Sequence, residues 1–179
     1  MSYNDWTLPP KKVLQAFPKL PNSAMRYMPY AIGLSGFLGF LDSTYLTILH
    51  YKNVIPPCTI HGCETVLTSQ FATIAGIPIS LLGALYYLTV IILVGILLST
   101  FSDRSAISNK NNELSKKEER NANIATLLVL LTGLGLLVGI FLVLLQAFVL
   151  HAFCQYCLAS ELIDFLLFDC AWWLWRRNG

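Results

Sequence analysis

The chain has 179 residues, of which 55% are hydrophobic and only 12% are charged. A typical soluble domain carries roughly 25% charged residues, so the composition argues against an ordinary water-soluble globule. It also excludes intrinsic disorder, which requires low hydrophobicity and high net charge, because the net charge is only +2. Lys and Arg are spread along the chain and leave no basic patch for nucleic acid. The composition predicts a small polytopic membrane protein.

Four apolar runs are long enough to cross the roughly 30 Å hydrocarbon core of a bilayer as helices. They are predicted as membrane spans at residues 30–50, 77–98, 124–150 and 155–175. The last is the weakest because it carries Glu161, Asp164 and Asp169. The predicted fold class is an all-α integral membrane protein with a bundle of four transmembrane helices. The first 29 residues lack the apolar core of a cleavable signal, so the first span serves as the insertion signal.

The distribution of positive charge predicts the orientation of the chain. Of the 12 Lys and Arg residues, all but Lys52 fall in the N-terminal segment, in the connector 99–123 or after the fourth span. Positively charged short loops stay on the cytoplasmic side. We therefore expect a cytoplasmic N-terminal segment at 1–29 and a cytoplasmic tail at 176–179. The segments 51–76 and 151–154 should face outward.

Four of the five cysteines fall on the side predicted to face outward. They come as two pairs in the sequence, Cys58 with Cys63 and Cys154 with Cys157. Cysteines that face an oxidising compartment form disulfides. The second pair has Cys-x-x-Cys spacing and opens the fourth span, where the helix dipole favours a thiolate on Cys154. This placement indicates redox chemistry.

Two structural alternatives remain open for these cysteines. Both pairs could be static staples, or the four thiols could bind zinc, although the usual sequence context of a zinc ribbon or finger is missing. We predict no metal. Cys170 lies thirteen residues after Cys157 near the cytoplasmic end and is interpreted as a buried apolar residue. His50, His61 and His151 receive no assigned role.

The pattern resembles the vitamin K epoxide reductase family in its bacterial disulfide-forming branch. The resemblance rests on Asp42-Ser-Thr-Tyr-Leu-Thr47, the pair Cys58 and Cys63, the run Cys63-Glu-Thr-Val-Leu-Thr-Ser69, Gly76-Ile-Pro78, Gly83, and Phe153-Cys-Gln-Tyr-Cys157. The order of the pairs separates the chain from DsbB-like enzymes, which place Cys-x-x-Cys in the first outward loop. The family implies a short half-helix after that loop. The apolar spacing within 64–75 is consistent with one that Gly76 ends.

The resemblance also implies a role for each thiol. A Cys58–Cys63 disulfide would accept electrons from a separate thioredoxin-like, DsbA-like periplasmic protein, which would attack Cys58. Cys63 would then open a Cys154–Cys157 disulfide, and Cys157 would face a lipid quinone, either ubiquinone or menaquinone. The reaction is thiolate–disulfide exchange down a gradient of reduction potential. The expected location is the bacterial inner membrane, with the active site on the periplasmic side.

Four residues are candidates for the quinone site. Ser69 matches a family hydroxyl that donates to a quinone oxygen, and Val66 and Leu67 precede it and could wall the pocket. Alternatively, the Ser69 hydroxyl bonds within its own half-helix. Glu161 lies one turn after Cys157 on the same stripe and could supply protons, although the family does not assign this role. Asp164 is more simply a carboxyl that pairs across the bundle.

Three functions compete at this stage. The leading one is a membrane thiol–quinone oxidoreductase that reoxidises its partner and supports disulfide formation. The second is an enzyme that reduces vitamin K or its epoxide. The third is a non-catalytic membrane bundle stapled by disulfides, in which the cysteine pairs would resist mild reductant.

Overall fold

Four long helices account for most of the computed structural model, which describes residues 22–59, 62–104 and 111–178. Helix α1 is Asn22–Lys52, α3 is Ile79–Arg104, α4 is Asn111–Leu145 and α5 is Gln155–Asn178. A five-residue π-helix, Gln146–Leu150, extends α4. The predictions for residues 1–21, for His61 and for Gly179 lie outside the described residues.

Among the described residues, three helices are long and apolar enough to cross a membrane, within Tyr27–Lys52, Ile79–Ser99 and Glu119–Leu150. Helix α5 is not among them, because its acidic residues lower its hydropathy. Its 24 residues correspond to about 36 Å of helix, which exceeds the hydrocarbon thickness. Helix α5 therefore has the length of a membrane span but not the composition.

The described part of the connector 99–123 is helical. Helix α3 continues to Arg104, and α4 begins at Asn111. Lys, Glu and Arg are strong helix formers, so polar sequence prolongs both helices once the backbone is already helical.

The helices pack in a ring in which α1 contacts α3 and α5, and α4 contacts α5 and α3. The central core contains apolar side chains from all four helices: Ile32, Tyr87, Val90, Val94, Leu97, Leu128, Leu167, Ala171 and Leu174. Small residues in α4 allow the helices to approach each other closely. A Cβ atom added to Gly133 would lie 3.3 Å from the Phe168 ring, and one added to Gly135 would lie 2.6 Å from the Tyr86 hydroxyl.

The predicted half-helix is much shorter than expected. Helix α2 covers only Cys63–Leu67 and is followed by a 3-10 turn, Gln70–Ala72. The Thr68 and Ser69 hydroxyls donate to the carbonyls of Glu64 and Val66 at 2.7 and 2.8 Å. These bonds accompany the end of the helix, because hydroxyl side chains compete for backbone carbonyls.

Gly76 does not end a helix. It lies in the turn of a hairpin formed by strands β1, Thr73–Ile74, and β2, Ile77–Pro78, with Ile74 paired to Ile77. Ala75 and Gly76 both have positive φ, 52° and 80°, as the two central residues of a type I′ turn require. The all-α prediction therefore holds for the long elements and misses this hairpin.

Candidate active site

The two cysteine pairs meet at one end of the bundle. Cys63 on α2 and Cys154 before α5 are 1% and 0% exposed and share a small core with Val66. Cys58, Cys157 and Leu67 pack against that core. Residues separated by more than 90 positions in the chain are thus brought into one cluster.

The pairs differ in their bonding. Cys58 and Cys63 form a disulfide that links the segment after α1 to the start of α2. Cys154 and Cys157 are free thiols, and the Cys157 amide lies 3.5 Å from the Cys154 sulfur, to which it donates. Cys58 is half-buried, whereas Cys63 is buried. Cys58 is therefore the more accessible sulfur of the disulfide.

Cys154 is held by a buried glutamine that the sequence analysis did not single out. Gln146 Oε1 accepts the Cys154 amide hydrogen at 2.9 Å, and its own carbonyl accepts the Ala152 amide at 3.1 Å. Gln146 is 3% exposed and opens the π-helix, a distortion that is frequent at functional sites. His151 follows with φ of 49° and turns the chain toward α5. The sequence signal that could have identified Gln146 is a glutamine within an apolar run, eight residues before Cys154.

The surroundings of Cys154 lower the pKa of its thiol to about 7. The hydrogen bond with the Cys157 side chain is the largest cause, and the amides of Cys157 and Tyr156 also favour the thiolate. Burial and the Asp42 carboxyl act in the opposite direction. A thiolate is the reactive species in disulfide exchange, so the lowered pKa increases the reactivity of the Cys154 thiol.

Val66 and Leu67 belong to the packing around the cysteines, whereas Ser69 uses its hydroxyl hydrogen locally. It donates to the Val66 carbonyl at 2.8 Å, which is the alternative that the sequence left open. Val66 and Leu67 are part of the apolar packing around Cys63 and Cys154. A quinone contact through Ser69 would use the oxygen as acceptor or require the hydroxyl to rotate.

Glu161 lies one turn after Cys157 on α5 and faces α4. Its carboxylate contacts Gly139 of α4 closely enough that a Cβ there would overlap it. One turn on, Asp164 is 7% exposed and faces the hydroxyls of Tyr86 and Tyr87. The Asp164 Oδ1 and the Tyr86 hydroxyl nevertheless lack hydrogen-bond geometry with any described group.

Asp42 is hydrogen-bonded across the bundle. Its Oδ2 accepts a hydrogen bond from the Ser160 hydroxyl at 2.7 Å, and this bond joins α1 to α5. The Tyr87 hydroxyl donates to the Ser160 carbonyl at 3.2 Å, which adds α3. Three helices are therefore fixed around the first turns after Cys157.

Residues 30–172 match the model of the vitamin K epoxide reductase family. The chain belongs to this family. A comparison with curated proteins found no match. Members of the vitamin K epoxide reductase family are oxidoreductases of membranes, which agrees with the apolar helices and the disulfide described above. Among the described residues, no group of His, Cys, Asp and Glu is arranged to hold a metal ion.

Proposed function

We propose that this member of the vitamin K epoxide reductase family is a membrane thiol–quinone oxidoreductase that supports disulfide bond formation. One observation carries the proposal: Cys63 and Cys154, one from each pair, are buried in the same cluster. Static staples would gain nothing from this juxtaposition, whereas exchange between two pairs requires it.

In the first step, a thiolate of a separate DsbA-like, thioredoxin-like periplasmic protein attacks Cys58. The Cys58–Cys63 bond breaks, a mixed disulfide forms at Cys58, and Cys63 leaves as a thiolate. The second thiol of the partner then attacks its own mixed-disulfide sulfur and releases Cys58. The partner leaves with a disulfide, and two electrons remain on the loop pair. The half-exposed position of Cys58 supports this order of attack.

In the second step, the Cys63 thiolate attacks Cys154 of an oxidised Cys154–Cys157 pair. Cys157 leaves as a thiolate, and Cys58 then displaces Cys154, which restores the loop disulfide. The pair at the start of α5 now holds both electrons. The same contacts that lower the pKa of Cys154 to about 7 make it a good leaving group when the loop disulfide reforms.

The electron acceptor in this proposal is a lipid quinone, ubiquinone or menaquinone, which takes two electrons and two protons. The residues present fit such a group, because Cys157 is half-buried, the Glu161 carboxyl lies one turn later on α5, and the Oδ1 of Asp164 in the next turn has no hydrogen-bond partner among the described atoms. Val66 and Leu67 would wall the ring and Ser69 would approach one oxygen. Glu161 would hold a proton for transfer.

The proposed setting is the bacterial inner membrane, with α5 as the fourth span and both termini cytoplasmic. The charge distribution supports this orientation, because Arg176 and Arg177 follow the apolar part of α5. The acidic residues that weaken α5 as a span face other helices at Glu161 and Asp164. Intramembrane carboxyls that point into a bundle mark functional positions.

The test is quinone reduction by the purified protein in detergent, with a reduced thioredoxin-like periplasmic protein as electron donor. Turnover with ubiquinone or menaquinone, abolished by Cys58→Ala, is the expected result. A parallel reaction with vitamin K epoxide separates the alternative activity of the family. Absence of turnover with every acceptor would leave a disulfide-stapled bundle and overturn the proposal.

A further inference from the structure

The two residues between Cys154 and Cys157 hold the segment that carries Cys58. Gln155 Oε1 accepts hydrogen bonds from the Thr59 amide at 3.1 Å and from the Thr59 hydroxyl at 2.6 Å. The Tyr156 hydroxyl donates to the Pro57 carbonyl at 2.9 Å, and Gln155 Nε2 donates to the same carbonyl at 3.4 Å. The backbone on both sides of Cys58 is therefore tied to the first turn of α5.

The tied segment has no regular backbone structure of its own. Residues 54–59 form neither helix nor strand, so side-chain hydrogen bonds fix their position where a backbone ladder would otherwise do so. The Tyr156 ring is itself anchored, because it packs against the Tyr45 ring of α1 with centroids 5.9 Å apart. The hydrogen bonds thus connect the loop to a fixed point on the bundle.

We propose that Gln155 and Tyr156 form a latch, a pair of positioning residues that set the rate of exchange between the two cysteine pairs. The inference rests on the proposed function, because it concerns the step in which Cys63 attacks Cys154. That step forms a Cys63–Cys154 bond, breaks the Cys154–Cys157 bond and releases Cys157 as a thiolate. Attack is fast only when the reacting sulfurs are held in line, and the latch supplies that alignment.

The test measures the approach of Cys63 to Cys154 without quinone and without a partner protein. In a parent protein with Cys58→Ser, Cys157→Ser and Cys170→Ser, only the thiols of Cys63 and Cys154 remain. Diamide oxidises them to a disulfide and takes up the two electrons and two protons released. The rate is measured by quenching with a maleimide that adds mass to unreacted thiols.

Latch variants are compared in this parent protein. Tyr156→Phe removes one hydroxyl and keeps the ring, and should slow the cross-link about fivefold, as the loss of one hydrogen bond implies. Adding Gln155→Ala should slow it at least about tenfold. Gln155→Glu keeps the oxygen that Thr59 contacts but loses the donor to the Pro57 carbonyl, and should therefore slow the cross-link less than Gln155→Ala does. Gln70→Ala with Tyr51→Phe, two exposed side chains outside the latch, is the matched control.

The outcomes distinguish failure of the latch from failure of the proposed relay between the cysteine pairs. Equal rates in the latch and control variants overturn the latch and leave the relay intact. A parent protein that forms no Cys63–Cys154 disulfide overturns the relay, and the latch with it. A folding defect is detected by restoring Cys170 in the parent protein and in each latch variant, where the alkylation rate of Cys170 should be the same. If Cys170 reactivity rises together with the loss of cross-linking, the effect is unfolding and the latch is overturned.

Discussion

Gly62 lies directly against the backbone of Phe153. A Cβ atom added to Gly62 would be 2.9 Å from both the amide nitrogen and the carbonyl oxygen of Phe153, and the φ of Gly62 is 139°. Gly62 precedes Cys63, and Phe153 precedes Cys154. The glycine therefore lets the two cysteine-bearing segments approach each other backbone to backbone, and any side chain at this position would separate them.

Replacement of this glycine should uncouple the two pairs. We expect Gly62→Ala to reduce thiol-driven quinone reduction at least about tenfold, because the backbone of Phe153 cannot yield as a flexible side chain would. Gly76→Ala is the matched control: it also has positive φ, 80°, but an added Cβ would meet nothing within 4 Å. Equal losses of activity in both variants would show that backbone strain, and not separation of the segments, is responsible.

The cysteines should divide into four that are required and one that is not. Cys154→Ala and Cys157→Ala should abolish quinone reduction by any thiol donor, because no pair would remain to deliver electrons. Cys170→Ala should retain at least about half of the parent rate, since Cys170 packs against the apolar core at the far part of α5. Turnover with each variant is followed by quinone absorbance. Full activity in Cys154→Ala would contradict the relay.

The Cys154 thiol should titrate near pH 7. In a Cys170→Ala protein with the loop disulfide intact, the ultraviolet absorbance of the thiolate should rise as pH increases through about 7. The pKa of an unperturbed cysteine thiol is about 8.5. Cys157→Ala should move this midpoint upward, because the Cys157 side chain is the largest cause of the lowered pKa.

Two variants then separate hydrogen bonding from charge. Cys157→Ser keeps a donor beside the sulfur and should hold the midpoint below that of Cys157→Ala. Asp42→Asn should lower the Cys154 midpoint below that of the parent, because the Asp42 carboxyl disfavours a negative charge on Cys154. If Cys157→Ala, Cys157→Ser and Asp42→Asn all leave the Cys154 midpoint unchanged, this account of the thiolate is refuted.

Gln146 should be required for stability at the head of α5. Gln146→Leu fits the apolar surroundings but leaves the buried Cys154 amide without its acceptor, which costs about 1–3 kcal/mol. Denaturant unfolding of the detergent-solubilised protein measures the loss. Gln70→Ala, at an exposed position, is the control and should change stability by less than about 0.5 kcal/mol. A Gln146→Leu protein as stable as the parent would show that the amide finds another acceptor.

The sequence by itself determined the membrane class, the approximate positions of the long helices and the pairing of the cysteines along the chain. Hydropathy and cysteine spacing carry this information because each depends on residues close together in sequence. The same local reasoning extended α2 too far, because the hydroxyls of Thr68 and Ser69 bond to backbone carbonyls at its end. It also missed the hairpin at Ala75 and Gly76, whose positive φ values belong to a turn.

Only the tertiary structure decided how the two pairs meet. The contacts of Gly62 with Phe153, of Gln155 with Thr59 and of Gln146 with Cys154 join residues on separate elements or across a chain reversal. Nothing in local composition marks Gln155 or Tyr156 as partners of the Cys58 segment. Periodicity shows which face of a helix is apolar, but the partner of a side chain depends on how the helices pack, and that is a property of the whole fold.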